Sequence, residues 1–121
     1  MEPKETRNRI FFTCPYSAGV WKSLTQKLLG SKFTTQWDTL LDLLVDTSQE
    51  KVRLFILRYV FQITIHSIWR ERNGRRHGEP ETHHTYLTKI IDKQVRNRLS
   101  TIRAMGDWSL DKGMEMWFNT R

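Results

Sequence analysis

The chain has 121 residues, enough for one domain with its own core, and its five tryptophans, six phenylalanines and 38% hydrophobic share exclude wholesale disorder. A single cysteine, Cys14, leaves no internal disulfide to form, so nothing points to an oxidising compartment. The net charge of +7 is concentrated in residues 53–103, with eleven Lys/Arg against four Asp/Glu, which is the footprint of a phosphate-facing surface or of solvated helix faces.

The opening residues 1–9 are charged and lack the apolar run of a secretory signal. Glu2 and Glu5 stand where mitochondrial presequences avoid acids, so a nuclear or cytoplasmic location is expected. Arg9-Ile10-Phe11-Phe12 reads as a short extended segment. Pro15 suits the first turn of a helix, where a missing N–H costs nothing, and Val20, Trp21, Leu24 and Leu28 make one apolar face. Gly30 is a natural stop, so the first helix spans about 16–29. A second helix follows, with Thr35 and Asp38 as a capping box and Trp37, Leu40, Leu41, Leu44 and Val45 as its buried stripe. Asp38, Asp42 and Asp46 recur every fourth residue on its outer face.

Thr47 with Glu50 signals the start of the next helix, the long one at residues 52–72. Twelve of its first eighteen residues are apolar, and Val52, Phe55, Ile56, Tyr59, Val60 and Ile63 keep helical spacing. A helix apolar over most of its circumference needs neighbours on several sides. Arg53, Arg58, Gln62 and His66 interrupt the run, which rules out an uncharged membrane span. Asn73-Gly74 is the expected stop. Residues 73–82, with two glycines and a proline, form a loop. The fourth helix starts at Thr82 or a neighbour and runs to about 105, with Tyr86, Leu87, Ile90, Ile91, Val95, Leu99 and Ile102 in helical period. The tail carries Trp108, Leu110, Met114, Trp117 and Phe118 and docks as a short helix or an extended arm. The expected fold is all-α, about four helices packed around the central one, with a short N-terminal extended segment, in a single domain of residues 1–121.

Two segments carry a resemblance. Glu5-Thr6, Phe11, Cys14-Pro15, Ser17 and Val20-Trp21 resemble the second half of the zinc-binding region at the C-terminus of plant non-LTR (LINE-type) retrotransposon reverse transcriptases. Ile68-Trp69-Arg70-Glu71-Arg72-Asn73-Gly74-Arg75 is similar to the ending of that region. The resemblance implies a zinc-motif remnant at 1–30, a helical body at 31–106 and an aromatic tail at 107–121. The family's ligands are two cysteines, a histidine and a cysteine. Here Cys14 stands at the last position, Arg9 replaces the histidine, and the first cysteine pair is absent. Structural zinc takes four Cys/His ligands and arginine has no lone pair to offer, so no zinc and no other cofactor is expected. The polymerase carboxylates are missing as well, so no catalytic residue and no enzyme activity is expected.

The densest basic cluster is Arg70, Arg72, Arg75, Arg76 and His77, and Lys89, Lys93, Arg96 and Arg103 join it if the fourth helix folds back beside the third. Arginine suits phosphate through its two-pronged fork, although cations at a helix end also complement its dipole. The expected partner is RNA or DNA, gripped through phosphates without base readout, and not a membrane. The alternatives are a helical protein-interaction module that self-associates through apolar surface such as Trp108, Trp117 and Phe118, or a chain without selected function. His83 and His84 are adjacent, which on a helix sets them about 100° apart and unsuited to share a metal.

Overall fold

The first helix, α1 (Pro15–Leu29), begins at the proline, as its fixed φ favours. Val20, Trp21, Leu24 and Leu28 are buried along one face. Gly30, at φ +56°, ends it through a 3-10 turn (Gly30–Lys32). The Trp21 indole then donates to the Thr34 carbonyl (3.1 Å) and pins the departing chain. A computed structural model provides these observations; it describes residues 15–78, 80, 82–104 and 113–120, with the side chains of all but 75, 76, 103 and 104. The extended segment expected at 9–12, Cys14, and Trp108 and Leu110 lie outside the described residues.

Helix α2 (Trp37–Val45) starts differently from expectation. Thr35 and Asp38 form no capping box; Gln36 is the cap residue, and its N–H donates to the Thr34 hydroxyl (3.0 Å). The buried stripe is also narrower. Leu40 and Leu44 are buried, whereas Leu41 is 40% and Val45 70% exposed. Nine residues lying chiefly against one neighbour cannot cover a wide apolar face. The orphan carbonyls at its C-terminus are met by side chains from outside. Gln49 Nε2 donates to Leu43 (2.6 Å) and Arg58 Nε to Leu44 (2.7 Å). In the following turn the Ser48 hydroxyl (2.6 Å) and then its N–H (3.0 Å) hold the Asp46 carboxyl below the usual carboxylate range.

Helix α3 (Lys51–Arg76) is the long central element. Its cap is Glu50 itself rather than Thr47: the carboxylate accepts the N–H groups of Val52 (3.0 Å) and Arg53 (3.1 Å), two of the four orphan donors. Val52, Leu54, Ile56, Leu57, Val60 and Ile68 are buried. The helix passes straight through Asn73-Gly74, the expected stop, and ends before Gly78, at φ +86°. An interior glycine costs only about 1 kcal/mol, Arg75 and Arg76 are good helix formers, and a second glycine was at hand to take the left-handed position.

Helix α4 (His84–Ala104) opens on His83, whose carbonyl accepts from Tyr86 and Leu87 and whose ring nitrogen faces the Thr85 N–H (3.3 Å). It folds back antiparallel beside α3 and also packs on α1. Leu87, Ile91, Val95, Leu99 and Ile102 face the core, but Tyr86 and Ile90, expected on the same stripe, are exposed. Of the two forms open to the tail, the chain adopts a short helix, α5 (Gly113–Asn119), packed on α3 and α4. Its Trp117 is fully buried and its indole donates to Asp92 (2.6 Å). A Cβ on Gly113 would stand 2.9 Å from Leu99 Cδ2, so a larger residue there would make the leucine tip shift. The architecture is therefore all-α around a long central helix, with no strand among the described residues. No helix among them is long and apolar enough to cross a membrane.

Candidate nucleic-acid interface

Helices α1, α4 and α5 pack on α3, and the short α2 touches it more sparsely. A groove runs along the α3–α4 seam. On α3, Arg58, Gln62, His66 and Arg70 follow one another every fourth residue and all are exposed, so they form one rail. On α4, Tyr86, Ile90, Gln94 and Arg98 do the same. The two rails meet: Arg98 shares a pocket with Phe55, Arg58, Tyr59 and Gln62. Gln94 lines the adjoining cleft with Tyr59, Gln62, Ile63, His66 and Trp69, a space of about 690 Å³ that reaches round to Trp37. Among the described residues no carboxylate lines either pocket. From Arg58 to Arg70 the rail runs about 18 Å at roughly 1.5 Å per residue.

Two exposed aromatics lie on these helices, Trp69 in the cleft lining at 53% and Tyr86, the first residue of the α4 rail, at 54% exposure. His66 stacks on Trp69, with ring centroids 6.2 Å apart and planes 26° apart, and Phe55 and Tyr59 stack at 6.4 Å further down. The bond from Arg58 Nε to the Leu44 carbonyl anchors that guanidinium at the groove mouth.

The residues singled out from sequence fall into three groups. Arg70, Lys89 and Lys93 are exposed, the lysines on the shoulder of α4 beside its rail. Arg72 and Arg96 are drawn into structural contacts. Arg72 donates to the buried Ser17 hydroxyl (3.2 Å), and Arg96 pairs with Asp92 (3.0 Å) and lies over the Phe118 ring (4.7 Å). The side chains of Arg75, Arg76 and Arg103 lie outside the described residues. Arg58, Arg98, Trp69 and Tyr86 escaped the sequence reading as parts of one surface. The four-residue recurrence of polar residues through the apolar run of α3 was the signal that could have found the first rail.

The two segments that carry the family resemblance meet in space. Arg72 of the second bonds Ser17 of the first, and both segments converge on Thr82. Thr82 donates its N–H to Glu71 (2.6 Å) and accepts from the Tyr16 hydroxyl (2.7 Å) at its carbonyl. This clasp sets where α4 begins, and hence the register of its rail against that of α3. Glu71→Ala should lower stability by about 1.5–3 kcal/mol and Tyr16→Phe by about 1 kcal/mol, the ranges for charged and neutral hydrogen bonds. Urea unfolding measures both, and the double variant should fall short of their sum because the pair shares Thr82.

His83 and His84 are closer than their adjacency suggested, stacked with centroids 4.5 Å apart. The 100° rule does not apply, because His83 precedes the helix that His84 begins. Among the described residues no three His, Cys, Asp or Glu side chains gather as a metal site would need. Comparison with protein-family models, curated proteins and solved structures finds no match.

Proposed function

We propose that this chain is a non-catalytic nucleic-acid-contacting module that grips phosphates along the α3–α4 groove. By its two resembling segments we read it as akin to the C-terminal region of a plant non-LTR retrotransposon reverse transcriptase, with Arg9 at that region's histidine-ligand position. The observation that carries the binding role is the groove itself, lined by Arg58 and Arg98, with Arg70 exposed further along the α3 rail and no carboxylate among the described lining residues. Lys89 and Lys93 add cations at its shoulder. Arginine forks bind phosphate oxygens in pairs, and a surface of one sign gathers polyanions without reading sequence.

Salt titration of binding to a mixed-sequence oligonucleotide tests the role. Contact with three to five phosphates of a single strand gives a slope of log K against log salt of about −2 to −3.5. Replacing Arg70 and Arg98 together by glutamine should flatten that slope by about 1.4. No binding at low salt, or affinity indifferent to salt, removes the proposal.

A second reading, self-association, draws on Leu41 and Val45, which stand exposed on α2. Sedimentation at several concentrations checks it: a monomer throughout discards it, and a concentration-dependent dimer that Val45→Asp dissolves supports it.

A further inference from the structure

We infer that the groove takes single-stranded rather than duplex nucleic acid, with bases stacked on Trp69 and Tyr86 while Arg58, Arg70 and Arg98 hold the phosphates. This rests on the phosphate-binding role proposed above and adds the class of ligand.

Three observations point the same way. First, cations and aromatics share the groove: Trp69 lines the cleft with Gln62, His66 and Gln94, the adjoining pocket holds Arg58 and Arg98, and Tyr86 begins the α4 rail that Arg98 ends. Second, Trp69 and Tyr86 each leave more than half their surface in water, although the same chain buries Trp21 and Trp117 completely. A flat, wet indole beside a guanidinium is the arrangement on which a base can stack, and every base offers such a face. His66, stacked on Trp69, lies along the inner side of the same platform. Third, the groove is apolar between its rails, with Tyr59, Ile63 and Ile65 partly buried along it and Gln62 and Gln94 exposed at its edges. A duplex presents phosphate and sugar outward and keeps its base faces stacked inside, so it would satisfy the arginines and leave this lining and both aromatics in water. An unpaired strand satisfies both, its backbone on the rails and its bases turned to the apolar lining. The glutamine amides can donate to or accept from any base edge and so impose little sequence preference.

The test compares an unstructured oligo-uridine, an unstructured oligo-deoxythymidine and a duplex of equal length at one fixed salt concentration. Both single strands should bind at least tenfold more tightly than the duplex. Trp69→Ala should weaken single-strand binding by about five- to a hundredfold, the worth of one stacked base, and Trp69→Phe should recover part of the loss. Because no phosphate contact is lost, the salt slope should stay unchanged in Trp69→Ala, whereas the Arg70 and Arg98 variants flatten it. Trp69 is exposed, so its variants are expected to keep the native helical signal and thermal midpoint, which circular dichroism checks. Equal or tighter duplex binding, or a Trp69→Ala variant with native affinity, overturns the single-strand assignment and leaves phosphate binding standing. Absence of binding to all three probes at low salt overturns both.

Discussion

Trp117→Ala should lower the stability of the chain by about 3–5 kcal/mol, the range for removing a large buried aromatic. The side chain is fully buried between α3 and α4, and its indole N–H is bound to Asp92 at 2.6 Å. Alanine opens a cavity there and leaves the Asp92 oxygen without that donor. Gly113 and Trp117 lie on the same face of α5, four residues apart, so the helix has no other large buried anchor. Thermal unfolding should shift down by about 10–20 °C for a domain of this size. Trp117→Phe keeps most of the apolar contact and loses the hydrogen bond to a carboxylate, so a smaller loss of about 1.5–3 kcal/mol is expected. A Trp117→Ala variant within 1 kcal/mol of the parent would mean that the C-terminal helix lies outside the folding unit.

The second large effect sets two substitutions on α3 against each other. Val60 is fully buried and Gln62 is exposed on the outer rail. Val60→Asp places an unpaired carboxylate in the core, at a cost of several kcal/mol beyond the lost burial, and should abolish cooperative unfolding. Gln62→Asp introduces the same side chain two residues later, with the same helix propensity, and should change stability by no more than about 0.5 kcal/mol. Circular dichroism melts of the two variants separate them. Comparable losses would contradict the placement of one face inward and the other in water.

Much of the helical architecture was legible because it rests on period. Val20, Trp21, Leu24 and Leu28 on α1 and Leu87, Ile91, Val95, Leu99 and Ile102 on α4 were predicted as buried faces and are buried. What failed was local. Helix α2 starts after Gln36 with no side-chain cap, and the cap of α3 went to Glu50 rather than Thr47, because several neighbouring side chains can satisfy the same orphan N–H groups. The stop at Gly74 moved to Gly78 because either glycine can end a helix and only the loop beyond selects one. Period also says which residues are apolar without saying which are covered. Tyr86 and Ile90 kept helical spacing and yet face water, because period does not tell how far the neighbouring helices reach over a stripe.

The site was less legible than the fold, for a related reason. Charge density along the chain picked out Arg72 and Arg96, but one holds Ser17 and the other pairs with Asp92. Arg58 and Arg98 stand 40 positions apart in sequence and share a pocket only because α4 folds back antiparallel. A linear scan counts cations; it takes two packed helices to show which of them face the same opening. Within the segment 68–72, Ile68 is buried, Glu71 and Arg72 bond to Thr82 and Ser17, and Trp69 and Arg70 remain exposed.

The most direct measurement is a residue-resolved titration of backbone amide resonances with an unstructured oligo-uridine at low salt. The groove account places the shifted amides along residues 58–70 of α3 and 86–98 of α4, with the Trp69 indole resonance moving alongside them. Shifts confined to α2 and α5, or a spectrum that does not change, would contradict it.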